Sequence, residues 1–140
     1  MSLKESIDTF NSALLEFIKD LIGAFPSIEA FRRAYASTNL LKTMSPNMPQ
    51  SLFHQHVYKY GDRIRSRDET FFLEHDYNED VATDKIEIVG ILKTMWADLR
   101  DDNKDAVWCH MDNLLSLDEN VICNKQSLNR DVRHSVSLTH

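Results

Sequence analysis

The chain is poor in glycine and proline, with only three residues of each among its 140. The glycines are Gly23, Gly61 and Gly90, and neither glycine nor proline occurs after Gly90. An all-β fold needs many tight turns, which these two residue types usually form, so this composition excludes that class. The same scarcity excludes glycine-rich phosphate-binding loops of the usual kind. Helices are therefore the expected elements.

Cysteines and long apolar runs are also scarce. Two cysteines, Cys109 and Cys123, are too few for a disulfide framework. No apolar run approaches the roughly 20 residues that a membrane-spanning helix requires. The amino terminus enters an amphipathic pattern at once and has none of the regions of a signal peptide. These absences predict an intracellular, cytoplasmic protein with no membrane association.

The negative charge is unevenly distributed along the chain. The net charge is −6, and residues 124–140 carry Lys125, Arg130 and Arg133 against Asp131, a local charge of +2. Subtracting this +2 from −6 leaves −8 on residues 1–123. Binding to nucleic acid without sequence preference requires a basic face that releases counterions. We therefore expect no direct binding of DNA or RNA by the body of the protein.

Apolar residues at alternating three- and four-residue steps predict the first helix over Leu3–Ala24. The residues expected to form its buried face are Ile7, Phe10, Leu14, Phe17 and Leu21. Ser27 is the predicted N-cap of a second helix, which ends before the next proline. A short third helix begins at Pro49 and ends at Gly61, because proline suits a first turn and glycine commonly follows a helix.

The second half of the chain predicts two or three further helices. A fourth element is expected over 62–74, a fifth over about 83–99 and a sixth over about 101–122. The short polar corner between the last two predicts an antiparallel helical hairpin. Trp96 and Trp108 are expected to pack on each other near this corner, because large aromatic residues are usually buried.

The carboxyl-terminal residues are expected to be a tail. Residues 124–140 contain no bulky aromatic residue and no continuous apolar face, so we interpret them as a frayed helix end followed by a mobile tail. The predicted fold is thus an all-α, single-domain bundle of five or six helices over 1–123, followed by the tail over 124–140.

An acidic stretch resembles an EF-hand calcium loop. Oxygen-bearing side chains stand at loop positions 1, 3, 5, 9 and 12, supplied by Asp76, Asn78, Asp80, Asp84 and Glu87. Position 6 is Val81, however, where the sharp turn requires glycine, and no second loop accompanies the first. We therefore favour an acidic, solvated linker and keep the calcium site as the alternative.

His54, His56 and Cys109 are the candidate catalytic or zinc-binding side chains. Residues two apart on a helix point to different sides, so His54 and His56 cannot share a metal ion without ligands from elsewhere. A nucleophilic Cys109 would need a base from another helix, because the adjacent His110 faces away. The favoured interpretation is two surface histidines and a buried structural cysteine.

Three segments carry a resemblance to a group of known proteins. They are residues 67–73 (Arg-Asp-Glu-Thr-Phe-Phe-Leu), 95–99 (Met-Trp-Ala-Asp-Leu) and 102–108 (Asp-Asn-Lys-Asp-Ala-Val-Trp). Over about residues 6–120, the chain resembles small uncharacterised helical proteins encoded by large DNA viruses of algae and other marine hosts. The resemblance implies expression inside an infected host cell and a role through contact with other proteins. It carries no catalytic motif.

The sequence as a whole favours a non-catalytic helical protein that acts as a protein–protein interaction or structural module. No cofactor is expected, and the partner is another protein or a second copy of the chain. Two alternatives remain. One is an EF-hand-like calcium-binding protein that uses the loop at 76–87, and the other is an enzyme whose active site is assembled from residues scattered among the helices.

Overall fold

The computed structural model describes residues 2–73 and 87–138. These residues form seven α-helices and two short 3₁₀ turns, and they contain no strand, which confirms the all-α class. The helices are α1 (Leu3–Ala24), α2 (Glu29–Met44), α3 (Met48–His56), α4 (Gly61–Arg65), α5 (Thr70–Leu73), α6 (Glu87–Met95) and α7 (Asp101–Leu138). The 3₁₀ turns are Tyr58–Tyr60 and Trp96–Asp98.

Helix α1 has the predicted bounds and forms one side of the core. It begins at the N-cap Ser2, whose hydroxyl oxygen accepts a hydrogen bond of 3.1 Å from the backbone N–H of Glu5. Its most extensive contact is with α7. Leu14 and Leu114 line one small cavity, and Leu21 and Val107 line another. A later residue of α1 thus faces an earlier residue of α7, so the two helices run antiparallel.

Helix α2 begins one residue later than the predicted N-cap implies. Ser27 does not cap it, because Ile28 occupies the N-cap position and no side chain caps the helix. The backbone N–H of Ile28 instead donates to the carbonyl oxygen of Phe25 at 3.1 Å, so Ser27 lies within a tight turn. Phe31 and Ala34 are the buried residues of α2.

The predicted helix end at Gly61 is wrong. Gly61 is the first residue of α4 and has a helical φ of −54°. It is buried, and a Cβ atom built on it would lie 3.6 Å from a methyl carbon of Leu115 on α7. A Cβ atom would make an ordinary contact at that distance, so this glycine neither ends a helix nor is required by a close approach to α7.

The element predicted over 62–74 is two helices, α4 and α5. They are separated at Arg67, which has a left-handed φ of 54°. The backbone N–H of Arg67 donates to Ile64 at 3.0 Å, and that of Asp68 donates to Arg63 at 2.9 Å. These two bonds form a Schellman motif, which ends α4 with an arginine where glycine is usual.

Asp68 then holds the start of α5. Its carboxylate accepts hydrogen bonds from the backbone N–H of Thr70 at 3.0 Å and from the Thr70 hydroxyl at 2.6 Å. The Nε atom of Arg63 lies 3.3 Å from the same carboxylate. The Thr70 hydroxyl, its backbone N–H and Arg63 together hold the pKa of Asp68 below its usual value.

The corner between α6 and α7 confirms the predicted tryptophan contact. The rings of Trp96 and Trp108 lie 5.1 Å apart at 70°, edge to face. Helix α7 packs mainly on α1 and makes few contacts with α6, whose neighbours are α2 and α5, so the hairpin predicted for the last two helices is not a main contact of the bundle. Helix α7 continues beyond the predicted end near Ile122 to Leu138, and no glycine or proline interrupts it. The mobility predicted for 124–140 stays a prediction.

Within the described ranges, no helix combines the length and the apolar character that a membrane span needs.

Candidate functional site

The predicted calcium loop lies outside the described residues, apart from the backbone of Glu87. Its other four candidate ligands are Asp76, Asn78, Asp80 and Asp84. The calcium site and the alternative acidic linker both stay predictions. Elsewhere, the described parts of the chain hold no group of three or more histidine, cysteine, aspartate or glutamate side chains that could bind a metal ion.

Cys109 is exposed, which corrects the interpretation that it is a buried structural cysteine. Its buried neighbours on α7 are Trp108 and Met111, and the helical spacing between them turns Cys109 outward. The Sγ atom lies 3.6 Å from Nη2 of Arg67, which also forms an ion pair with Asp105. No base stands beside this thiol among the contacts of the described residues.

His54 and His56 have different surroundings, as their spacing predicts, but the interpretation of both as surface histidines is wrong for His56. His56 is buried against the core, whereas 37% of the His54 side chain is exposed. The Nδ1 atom of His54 lies 2.7 Å from Oδ2 of Asp118, a residue of α7 that has no exposed surface. This pair is the centre of a polar cluster between α3 and α7.

A second pair of side chains completes the buried part of this cluster. Gln50 donates from Nε2 to Oδ1 of Asp118 at 2.6 Å, and Gln50 is itself fully buried. The Oε1 atom of Gln50 accepts a hydrogen bond of 3.3 Å from Lys125. Both carboxylate oxygens of Asp118 therefore have a hydrogen-bond partner, as a buried charged group requires. We call Gln50, His54, Asp118 and Lys125 the His54 cluster.

Tyr58 and Glu119 lie next to the His54 cluster, on its outer side. The rings of His54 and Tyr58 stack with centroids 4.7 Å apart, and the Tyr58 hydroxyl donates to Glu119 at 3.3 Å. Arg65 forms an ion pair with Glu119, and this guanidinium holds the pKa of the Glu119 carboxyl below its usual value. Burial, together with the negative charge of Glu119, raises the pKa of Tyr58.

The hydrogen bond to Asp118 decides which nitrogen of His54 is available. An ionised carboxylate can only accept, so Nδ1 of His54 donates and carries the proton of the neutral ring. The Nε2 atom then presents its lone pair, and it has no partner within 2–73 and 87–138. His110 has the opposite arrangement, because its Nε2 atom lies 2.8 Å from Asp20 and its ring stacks on Phe17.

A second candidate site is an apolar surface on α2. Leu40 is 61% exposed and Met44 is 75% exposed, and Met48, at the start of α3, is 40% exposed. Leu40 and Met44 lie one helical turn apart, and the exposed Arg33 and Ser37 precede them on the same face of α2. We call the face formed by these four residues of α2 the α2 surface.

Sequence reasoning named His54 as a candidate catalytic or zinc-binding side chain, but it missed the buried partners of His54 and the α2 surface. The acidic Asp118 gave no sequence signal at all, because a buried aspartate cannot be distinguished by residue type from the exposed ones around it. Only the packing of α3 on α7 reveals it.

No protein-family model, curated protein or solved structure matches the chain. The resemblance to helical proteins of large DNA viruses therefore stays a prediction. Function is inferred below from the residues of this chain alone.

Proposed function

We propose that the protein is an interaction module that binds another protein through the α2 surface. The observation that carries this proposal is the exposure of Leu40 and Met44 at one helical turn's spacing. A single exposed apolar side chain is ordinary on a protein surface, but a row of them is typical of a binding face. The proposal requires no cofactor.

The position of the α2 surface in the fold supports a role in binding. The opposite side of α2 is anchored through Phe31 and Ala34, and this helix packs on α1. The exposed side chains are therefore presented on a helix whose fold does not depend on them. Leu40 and Met44 cost free energy while they contact water, and a partner that covers them would recover it.

The residue types support the same conclusion. Met44 has an unbranched, polarizable side chain, which adapts to apolar partners of different shapes. Arg33 lies at the amino-terminal end of the row and has no hydrogen bond or ion pair within the described residues. Arginine is enriched at interfaces because its planar group forms several directed hydrogen bonds. An apolar row that ends in an available cation fits a partner with an apolar stripe and a carboxylate.

The test compares the wild type with the double variant Leu40→Ser/Met44→Ser. Tagged proteins are captured from cells that naturally produce the chain, and the captured proteins are quantified by mass spectrometry. The matched control is Leu128→Ser, which removes a 51% exposed leucine from α7. Melting temperatures of all three proteins verify that the variants are folded.

The expected result is that one or more partners are depleted by the double variant and retained by Leu128→Ser. A single interface hot spot contributes about 2 kcal/mol, so the loss of binding should be about 30-fold or more. If the partner is a second copy of the chain, the wild type will be a dimer in solution and the double variant a monomer. Retention of every captured protein and the same oligomeric state in both variants would contradict the proposal.

A further inference from the structure

We infer that His54 is a nucleophilic site whose Nε2 atom accepts acyl groups from neutral, activated esters, with Asp118 as its positioning residue. The juxtaposition that supports this is a fully buried carboxylate 2.7 Å from Nδ1 of a histidine whose side chain is 37% exposed. The site lies on α3 and α7 and is separate from the α2 surface.

The neighbours of His54 hold its imidazole ring in one orientation. Asp118 holds the ring of His54 from one side, and Gln50 holds the other oxygen of Asp118 at 2.6 Å. Tyr58 stacks on the face of the same ring. A carboxylate on Nδ1 fixes the tautomer and directs the free lone pair outward from Nε2. The imidazole is therefore already oriented before any reactant arrives.

The charge that develops on the ring during reaction is stabilised as well. When Nε2 attacks a carbonyl carbon, positive charge builds on the imidazole ring. The carboxylate of Asp118 lies against that ring and stabilises the charge, as an aspartate does for the histidine of a catalytic triad. A histidine without such a partner depends on water for the same stabilisation.

The charges around His54 select the substrate class. Asp118 and Glu119 give the neighbourhood of His54 two carboxylates, which repel a phosphoryl or other anionic donor. Two cations lie nearby, but Arg65 is already paired with Glu119 and Lys125 already donates to Gln50. A neutral ester meets no such repulsion. An aryl ester also provides a leaving group that departs without being protonated, so no separate general acid is required.

The Nε2 lone pair attacks the ester carbonyl carbon and forms an N–C bond, while the C–O bond breaks and the aryl oxide leaves with its electron pair. The product is an acylimidazolium on His54, with its Nδ1–H still directed at Asp118. Water then attacks the acyl carbon, which releases the carboxylic acid and a proton and regenerates the imidazole.

The test uses p-nitrophenyl acetate and follows the release of p-nitrophenolate. We compare the wild type with His54→Ala and with the control His110→Ala, whose side chain is only 24% exposed and whose ring stacks on Phe17. His54→Ala should lower the protein-dependent rate of p-nitrophenolate release by about tenfold or more. This factor is smaller than the rate enhancement that a positioned catalytic side chain usually provides. His110→Ala should change it less than twofold. His54→Gln serves as a second variant if His54→Ala does not fold.

Two further readouts distinguish positioning from simple folding. Mass spectrometry of rapidly quenched protein should find the acetyl group on His54. ¹⁵N NMR of the imidazole should show the proton on Nδ1 in the wild type and a mixture of both tautomers in Asp118→Asn, with a lower acyl-transfer rate in that variant. An unchanged rate in folded His54→Ala, or acetylation confined to other residues, would overturn the inference.

Discussion

The Nδ1 atom of His54 lies 2.7 Å from Oδ2 of Asp118, across the contact between α3 and α7. The two residues are separated by 64 positions in the chain, and Asp118 has no exposed surface. A buried carboxylate is tolerated only where its hydrogen bonds are satisfied, and here His54 and Gln50 satisfy both oxygens. The stability of the bundle should therefore depend on this pair.

We expect Asp118→Ala to lower the free energy of unfolding by about 2 kcal/mol, because the buried amide of Gln50 loses its acceptor. Urea denaturation followed by circular dichroism measures this change. The control is Asp112→Ala, which removes an exposed carboxylate 3.8 Å from Arg65 and should cost less than about 0.5 kcal/mol. Equal losses in the two variants would show that Asp118 has no special structural role.

Gly61→Ala should stabilise the protein by about 0.5–1 kcal/mol. The reason is that glycine loses more backbone conformational entropy than alanine when it becomes helical. The added methyl group would lie 3.6 Å from Leu115, which is an ordinary contact distance. Thermal unfolding compares this variant with Gly61→Leu, which should be destabilised because a larger side chain overpacks the contact. A lower melting temperature for Gly61→Ala would mean that α4 and α7 approach more closely than described.

Stability should fall in acid partly through Glu119. The hydrogen bond with Arg65 lowers the folded-state pKa of Glu119. The contribution of Glu119 to the free energy of unfolding is therefore fully present above the unfolded-state pKa of about 4.3. It is lost as the pH falls through the lower folded-state pKa. Glu119→Gln should therefore lose less stability than the wild type between pH 6 and pH 3. Glu16→Gln, which changes an exposed residue of α1, serves as the control. Parallel pH profiles for all three proteins would contradict this account.

Removal of residues 127–140 should shift the melting temperature by less than about 4 °C, which corresponds to roughly 1 kcal/mol in a domain of this size. Lys125 is retained in this variant because it donates to Gln50. Beyond it, Leu128 is half exposed and anchors little apolar surface. A decrease of many degrees would indicate that the removed segment packs on the body or on a second copy of the chain.

The sequence predicted the elements whose signals are local. The apolar spacing and Ser2 determine α1, and the bounds of α1 agree with the prediction. The tryptophan contact at the α6–α7 corner was also predictable, because the two rings flank a short polar corner. In each case, residues close in sequence carry the information.

The errors concern residues whose role depends on distant partners. Gly61 resembles a helix stop in the sequence, whereas in the fold it begins α4 and lies against Leu115. Arg67 carries a left-handed backbone that sequence patterns assign to glycine or asparagine. Asp118 becomes distinctive only through its burial beneath Gln50 and His54. The sequence therefore did not identify the polar cluster that joins α3 to α7.

Site-specific photo-cross-linking from the α2 surface tests the proposed function most directly. A photoreactive amino acid replaces Leu40 in one protein and the exposed Ser12 of α1 in another, and each is expressed in cells that naturally produce the chain. We expect a cross-linked protein from position 40 that is absent from position 12. Excess unlabelled wild type should suppress it, whereas Leu40→Ser/Met44→Ser should not. Identical products from both positions, or none from position 40, would contradict the proposal that the α2 surface is the binding face.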